Sequence, residues 1–393
     1  MKWCSRTSRG SDLVSQVQDA GLYILEQFEG QSPDVVFVFV SAQFRGAFDQ
    51  IPRLLVDVCQ PAQIFGACGG GILADGDEVE MEPGLAVMAG LLPDVFCHSF
   101  SITPEEFGDL DSAKLIDKIG VPAENSPSFV LLFDPFSCPL DPFLHLMDQT
   151  FPFSQKIGGL VSGGQGPGQH ALFHGGHCTD RGMVGLVFDG NLAMDTMVAQ
   201  GCRPIGSPLF LTSVAGSVIR EINGEVPRAV LESIYAGLSE PDRQLFRHAL
   251  FVGIEMQPED RIYNRGDFLI RNLMGIDPNH GFLQVGADLT HIKVAQFHVR
   301  DTQTSRDDLR LQLDRYQETL AERRPVGALM FSCLGRGIRF YDEPNVDSGL
   351  VHSVFDGLPM GGFFCNGEIG PVQGRTFVHG YTSSLGFLRP RHG

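Results

Sequence analysis

Residues 35–41 read Val35-Val36-Phe37-Val38-Phe39-Val40-Ser41, a run with no polar side chain before its final serine. Six consecutive β-branched or aromatic residues are too few for a buried helix and too uniform for a strand with one wet face. The stretch is predicted to be a strand covered on both sides. Upstream, Leu13, Val17, Ala20, Ile24 and Phe28 recur at helical spacing behind Ser11, a candidate N-cap, and the pattern stops before Pro33. A helix followed by a doubly buried strand places the chain in the α/β class.

The same order returns near the C-terminus. Leu309, Leu313, Tyr316 and Leu320 form an apolar stripe behind Thr304 and Ser305, and Asp307 and Asp308 suit a helix N-terminus. Pro325 ends that helix, and Val326 to Phe331 reads as a second buried strand. Between these two regions the pattern predicts a β-rich centre, with hairpin turns at His174-Gly175-Gly176, Asn223-Gly224 and Asp277-Pro278-Asn279-His280-Gly281. The Asn223-Gly224 turn gives way to a predicted helix over Pro227 to Gly237. This sets a two-module division at 1–225 and 226–393.

With 393 residues, of which 43% are hydrophobic, the chain is long enough for two cores. A net charge of −18 leaves no basic footprint for a phosphate backbone or an anionic lipid surface, so nucleic acid and membrane are not expected partners. The nine cysteines, at positions 4, 59, 68, 97, 138, 178, 202, 333 and 365, show no C-x-x-C spacing, which argues against a disulfide framework or a zinc ribbon. Polar residues run through Ser5 to Leu25, and the apolar stretch Gly84 to Phe96 is short and broken by Pro93. Neither reads as a signal peptide or spanning helix, and a reducing cytoplasm is the expected compartment.

A three-fold recurrence gives the functional clue. A buried strand is followed by a proline and then a glycine-rich loop: Val35 to Ser41, Pro61 and Gly66 to Gly71; Phe129 to Asp134, Pro152 and Leu160 to Gln165; Val326 to Cys333, Pro359 and Phe363 to Glu368. Cys68, Ser162 and Cys365 are expected at equivalent places. Glycines at strand ends let a backbone approach a ligand, and ligands of open α/β sheets gather beyond the carboxyl ends of strands. The same glycines also suit tight turns, with Cys and Ser filling small core spaces.

Standard chemical signatures are missing or incomplete. There is no G-x-x-x-x-G-K-[ST] and no G-x-S-x-G, and Gly69-Gly70-Gly71-Ile72-Leu73-Ala74 is followed by a turn, Asp75-Gly76-Asp77, where a dinucleotide fold needs a helix. His170, His174, His177 and Cys178 match no ligand spacing and read as surface or turn residues. The acidic group Asp75, Asp77, Glu78, Glu80 and Glu82 reads as a solvated loop face rather than a calcium loop. No metal or cofactor is expected. Cys333 ends a strand with Arg336 and Arg339 near in sequence, a setting that favours thiolate, and His298, His352 and His379 are the candidate bases. Arg336 can grip a carboxylate and Glu368 can accept from an ammonium group, a pair suited to an amino acid; alternatively the two pair with each other or with water.

These loops resemble the FIST family, whose N- and C-terminal modules occur in bacterial signalling proteins and in an F-box protein of the ubiquitin system. The N-terminal resemblance lies in Phe65 to Gly71 with Glu78-Val79-Glu80, in Gly158-Gly159-Leu160 and in Gly201 to Gly206. The C-terminal one lies in Asp267 to Asn272, Gln296 to Asp301, Phe331 to Gly337 and Gly362 to Gly370. The first loop departs from the common Gly-Cys-Ser/Thr-Thr/Ser-Ala-Gly-Glu form by its extra glycines and its missing Glu. The resemblance implies a sensory role toward small ligands such as amino acids, and brings no established catalytic residues.

The leading expectation is a small-ligand sensor that signals through a protein partner. Its candidate contacts are Cys68, Gly69, Gly70, Ser162, Gly163, Gly164, Arg271, Arg300, Cys333, Arg336, Cys365, Asn366 and Glu368. A cysteine-dependent enzyme using Cys333 or Cys365, and a protein-interaction scaffold, are the alternatives.

Overall fold

The computed structural model describes residues 1–256, 263, 266–320 and 323–392. They form two compact units, one of Met1–Ala199, Leu309–Val378 and Thr382–Gly393, the other of Gln200–Asp308 and His379–Tyr381. This division differs from a cut at Glu225: the chain leaves the first unit after Ala199 and returns to it at Leu309. The architecture is mixed α/β, with several sheets and a barrel. Among the described residues no helix is long and apolar enough to cross a membrane.

The first unit is built from three six-stranded sheets. At the centre of each lies a parallel pair: Val35–Ser41 with Gln63–Gly69, Ser128–Phe133 with Lys156–Leu160, and Gly327–Cys333 with Met360–Cys365. Helices Gln50–Cys59, Leu140–Thr150 and Val346–Val354 make the crossovers that parallel strands require. These are the three recurring strand-to-loop segments of the sequence. Each has a further pair of strands on one flank: Lys2–Arg9 antiparallel to Gly84–Leu91, Val95–Ile102 antiparallel to Met183–Gly190, and Ala193–Gln200 beside Thr382–Arg389.

On the other flank the three copies interlock. The hairpin after the first glycine loop, 72–79, joins the third sheet; the one after the second, 172–179, joins the first sheet; and the one after the third, 368–379, joins the second. Each glycine loop is therefore a crossing from one sheet to another. Phe37, Phe39, Phe65, Phe188, Phe331 and Phe363 share one core drawn from all three copies, and helices cover the outer faces with separate clusters. That layering explains why Val35–Ser41 is buried at every position.

One glycine in each second strand fixes the register. A Cβ on Gly66 would lie 1.8 Å from the carbonyl oxygen of Val38, on Gly158 1.8 Å from that of Leu131, and on Gly362 1.7 Å from that of Met330. Measured from these glycines, Cys68 is two residues on, Ser162 four and Cys365 three. The expected equivalence of Cys68, Ser162 and Cys365 is thus corrected: Cys68, Leu160 and Phe364 share a register, because the loops differ in where the strand ends.

The second unit is a closed barrel of Cys202–Ala215, Val218–Ile222, Leu283–Val285, Phe268–Ile276, Leu250–Glu255 and Val294–Arg300. This is the β-rich centre. Asn223-Gly224 does not separate paired strands but turns the chain into helix Pro227–Gly237, whose proline at the first turn needs no intrahelical donor.

Candidate functional site

The three glycine loops of the first unit meet. Ser162 Oγ accepts the Gly70 N–H at 2.9 Å and donates to the Phe364 carbonyl, so one hydroxyl ties the loops together. Asn366 adds a side-chain bond to Val161 O at 3.0 Å and a backbone bond to Leu160 O at 3.0 Å, and Phe364 N–H donates to Gly71 O at 2.9 Å. The Cys68 thiol donates to Ser162 O at 3.5 Å. Here the glycines permit loop-to-loop approach. A Cβ on Gly70 would sit 2.7 Å from Leu334 Cδ2, and one on Gly163 2.4 Å from Ala42 Cβ. Cys68, Ser162 and Cys365 are buried inside the junction, whereas Gly163, Leu334 and Asn366 face solvent and Gly69, Gly70 and Gly164 line the crossing.

Beneath the third loop lies a buried polar network. Arg336 is fully enclosed, with Nε 2.5 Å from Asp347 Oδ2 and Nη2 2.8 Å from Asp347 Oδ1. Tyr341, Ser332 and Ser383 hydroxyls also donate to Asp347, at 2.9, 2.9 and 3.1 Å. Burial pushes the Asp347 carboxyl up, but the charge of Arg336 and the hydrogen bonds from Arg336, Tyr341 and Ser332 together outweigh it and hold it below its usual range. Arg336 thus forks onto Asp347, and its charge also acts on Glu368 and offsets part of the effect of burial there. A carboxylate ligand would have to displace Asp347 to take the grip expected of Arg336.

Glu368 is equally enclosed. Thr382 donates to Oε2 through its N–H at 3.1 Å and its hydroxyl at 2.8 Å, while Oε1 receives no conventional hydrogen bond. The Cys333 thiol, a weak donor, makes only a minor stabilising contact with the carboxylate. Burial pushes the Glu368 carboxyl from 4.5 up to about 8. Glu78 is also buried, raised to about 7 by burial and by the charge of Asp347, with Oε1 accepting from Ser348 N–H at 2.8 Å and Oε2 without a hydrogen-bond partner. The acidic group 75–82 is therefore not a uniformly solvated face. In the short strand Asp77–Val79 both Glu78 and Val79 are buried, and Glu80 Oε1 accepts the Ile338 N–H at 2.8 Å.

A carboxyl whose folded pKa lies above its unfolded one binds a proton in the native state that the unfolded chain has lost. Its contribution is complete below 4.5 and disappears as pH rises through about 8. For Glu368 this amounts to on the order of 5 kcal/mol over the interval. Glu368→Gln is expected to flatten that decline: urea unfolding at pH 5 gives two similar stabilities, and at pH 8 the variant is the more stable. A wild-type decline retained in the variant would assign it to other groups.

The remaining candidates divide between the units. Arg271 and Arg300 belong to the barrel, where Arg271 Nη1 donates to Ile270 O at 3.0 Å and the Arg300 guanidinium stacks 4.9 Å from the Tyr381 ring. Cys365 is sealed, with burial driving its thiol well above the ordinary value; Cys333 is half-buried at its strand end.

The FIST N domain matches residues 34–225 and the FIST C domain residues 228–371. The chain belongs to the FIST family. FIST domains are associated with signal transduction and small-ligand sensing. An uncharacterized protein of Mycobacterium tuberculosis is 32% identical over 381 residues, covering 96% of this chain and 97% of the relative. Another, from Mycobacterium bovis, is 31% identical over 360 residues, covering 92% of each.

Within the FIST N segment the structure reveals a pair that sequence reading missed. His170 is buried rather than on the surface, with Nδ1 2.9 Å from Asp134 Oδ1 and its ring stacked on Phe136 at 5.6 Å. Ser137 Oγ also donates to Asp134, at 2.6 Å. The Asp134 carboxylate engages Nδ1, and Nε2, on the other side of the ring, has no hydrogen-bond partner. A Cβ on Gly164 would lie 2.8 Å from that nitrogen. Asp134 was visible as a strand end; no local spacing joins it to His170. In the FIST C segment Asp347 gave no signal either, since it sits one residue inside helix Val346–Val354. Among the described residues no group of three or more His, Cys, Asp or Glu side chains is arranged to hold a metal ion.

Proposed function

We propose that the three-sheet unit is a receptor for an amino acid or a related small amine, with the ligand's ammonium group taken up by Glu368 at the loop junction. The observation that carries this reading is a fully buried carboxyl whose Oε1 receives no conventional hydrogen bond, the carboxylate's other contact being the weak one from the Cys333 thiol, beside loops tied together by Ser162. A buried carboxylate is strongly stabilised by a cation, and a cation arriving at Glu368 displaces its proton. Arg336, already forked onto Asp347, supports the structure of the site rather than gripping ligand carboxylate. Reception is coupled to a signalling partner in a reducing cytoplasm, a setting supported by nine free cysteines.

Calorimetry with the common amino acids and their deaminated acids tests this. Binding is expected only for the amines, with affinity rising with pH up to about 8 and with one proton released per ligand. Glu368→Gln is expected to abolish it. Equal binding of deaminated acids, or an affinity independent of pH, sinks the reading. A second reading, thiol chemistry at Cys333, draws on its half-exposed place beside Glu368. Cys333→Ser separates the two: it spares amine binding in the receptor and abolishes turnover in an enzyme.

A further inference from the structure

Strands Gly327–Cys333 and Met360–Cys365 both end on a cysteine. They are parallel neighbours, and their register sets Cys333 directly beside Cys365. Neighbouring strands lie about 4.8 Å apart, within the roughly 4.4–6.8 Å between Cα atoms that a disulfide spans. Register partners in a parallel pair project from one face, and two residues earlier the partners Phe331 and Phe363 share the central core with Cys365. Among the described residues no other two cysteines are paired in this way. Both are reduced thiols with weak contacts: Cys365 Sγ donates to Phe363 O at 3.5 Å, and Cys333 Sγ accepts the Gly335 N–H at 3.4 Å. A turn about χ1 gives these up at little cost.

The two thiols differ in access. Cys333 is half-buried at the loop junction, while Cys365 has no exposed surface, so a solute meets Cys333 first. The Cys333 thiol donates to the Glu368 carboxylate. Burial raises that carboxyl to about 8, close to the roughly 8.5 of a thiol, so passing the proton across costs little. Burial keeps Cys365 protonated, which makes it a poor target for an outside oxidant and suits it to react with an electrophilic sulfur beside it. We propose that Cys333 and Cys365 are a peroxide-oxidised pair, in which Cys333 reacts with a hydroperoxide and Cys365 resolves the product to a disulfide. Cys333 gives its proton to Glu368 and its sulfur attacks the peroxide. The O–O bond breaks, Cys333 becomes a sulfenic acid, and the alkoxide or hydroxide leaves with the proton from Glu368 as alcohol or water. The Cys365 sulfur then attacks the sulfenic sulfur, the S–O bond breaks, and hydroxide leaves with the Cys365 proton as water. The hydroperoxide is reduced by two electrons, and two thiols are oxidised to one disulfide.

Hydrogen peroxide added to the purified protein, followed by alkylation of the remaining thiols and non-reducing tryptic mapping, tests this. Arg336 and Arg339 lie between the two cysteines, so after trypsin only a disulfide joins their peptides. The expected product is the Cys333–Cys365 cross-link, with two hydrogens lost from the mass of the chain and regained with dithiothreitol. Cys178→Ser, which removes the exposed thiol, should leave the cross-link unchanged. In Cys365→Ala the reaction is expected to stop at a Cys333 sulfenic acid, captured by dimedone. Glu368→Gln, which lacks the proton acceptor, is expected to slow cross-linking about a hundredfold, and an unchanged rate removes Glu368 from the reaction. No amine is present, so failure of the amine site leaves these results untouched. Wild type alone decides the pairing: a Cys333 that stays alkylatable, a sulfenic acid that persists, or a cross-link to any other cysteine overturns it.

Discussion

Gly362→Ala is expected to destroy cooperative folding of the three-sheet unit. The new Cβ would stand 1.7 Å from the carbonyl oxygen of Met330, in the partner strand of the same parallel pair, and Cβ atoms essentially never come within 3.0 Å of another heavy atom. The obstacle is backbone and not the flexible end of a side chain, so no rotamer change relieves it. The two strands have to part, which breaks the ladder between them and opens the core around Phe331 and Phe363. Ordinary overpacking costs about 1–3 kcal/mol; a clash with backbone inside a sheet is expected to exceed about 4 kcal/mol, a large share of the 5–15 kcal/mol that holds most proteins folded. Gly66→Ala and Gly158→Ala should behave alike, at 1.8 Å from Val38 and Leu131 oxygens. Gly349→Ala, in helix Val346–Val354 with open space around its Cβ, is the control and should gain about 0.5–1 kcal/mol. Denaturant unfolding measures all four. A Gly362→Ala variant within about 1 kcal/mol of wild type would remove this account of the register.

The second large effect is expected at Asp347. Its carboxylate is the counter-ion of a guanidinium with no exposed surface, and it also collects hydroxyls from Ser332, Tyr341 and Ser383. Removing one partner of a buried pair costs about 3–5 kcal/mol, because the other is left charged in a medium that cannot solvate it. Asp347→Asn is therefore expected to lower stability by about that amount, with its midpoint in denaturant read against wild type. Adding Arg336→Met takes away the stranded charge and should recover much of the loss. If the double variant is no more stable than Asp347→Asn alone, the cost lies in packing and not in electrostatics. The carboxyl of Glu78, raised in part by the charge of Asp347, should also titrate lower in the single variant.

What the sequence disclosed follows from how far its signals reach. Val35 to Val40, Phe129 to Phe133 and Val326 to Phe331 announced their strands because being covered on both faces leaves a local mark, an unbroken apolar run. Helix Pro227–Gly237 was equally readable from its turn and proline. The partner of each hairpin was not. Residues 72–79 carry nothing that names Met360–Cys365 as their neighbour, since that choice is made by the closure of three sheets around one core. For the same reason the loops could be recognised as a recurring set, yet not as three crossings bolted by Ser162. The buried charges were the hardest to see: Glu78 looked like a member of an acidic loop, and Asp134 and His170 lie 36 residues apart. Polar residues leave no periodic trace when their burial depends on partners distant in the chain.

The exchange of hairpins also has a consequence for the newborn chain. Lys156–Leu160 leaves the ribosome long before Glu368–Val372, the strand that covers its open edge. At about 5–20 residues per second, that edge stays bare for on the order of tens of seconds. Hairpin 72–79, made early, waits in the same way for Met360–Cys365. None of the three sheets is complete until the C-terminal third has been synthesised, except the first, which closes on 172–179. The unit thus matures from its N-terminal sheet outward, and a prematurely terminated chain would present two apolar, hydrogen-bond-hungry edges to its neighbours.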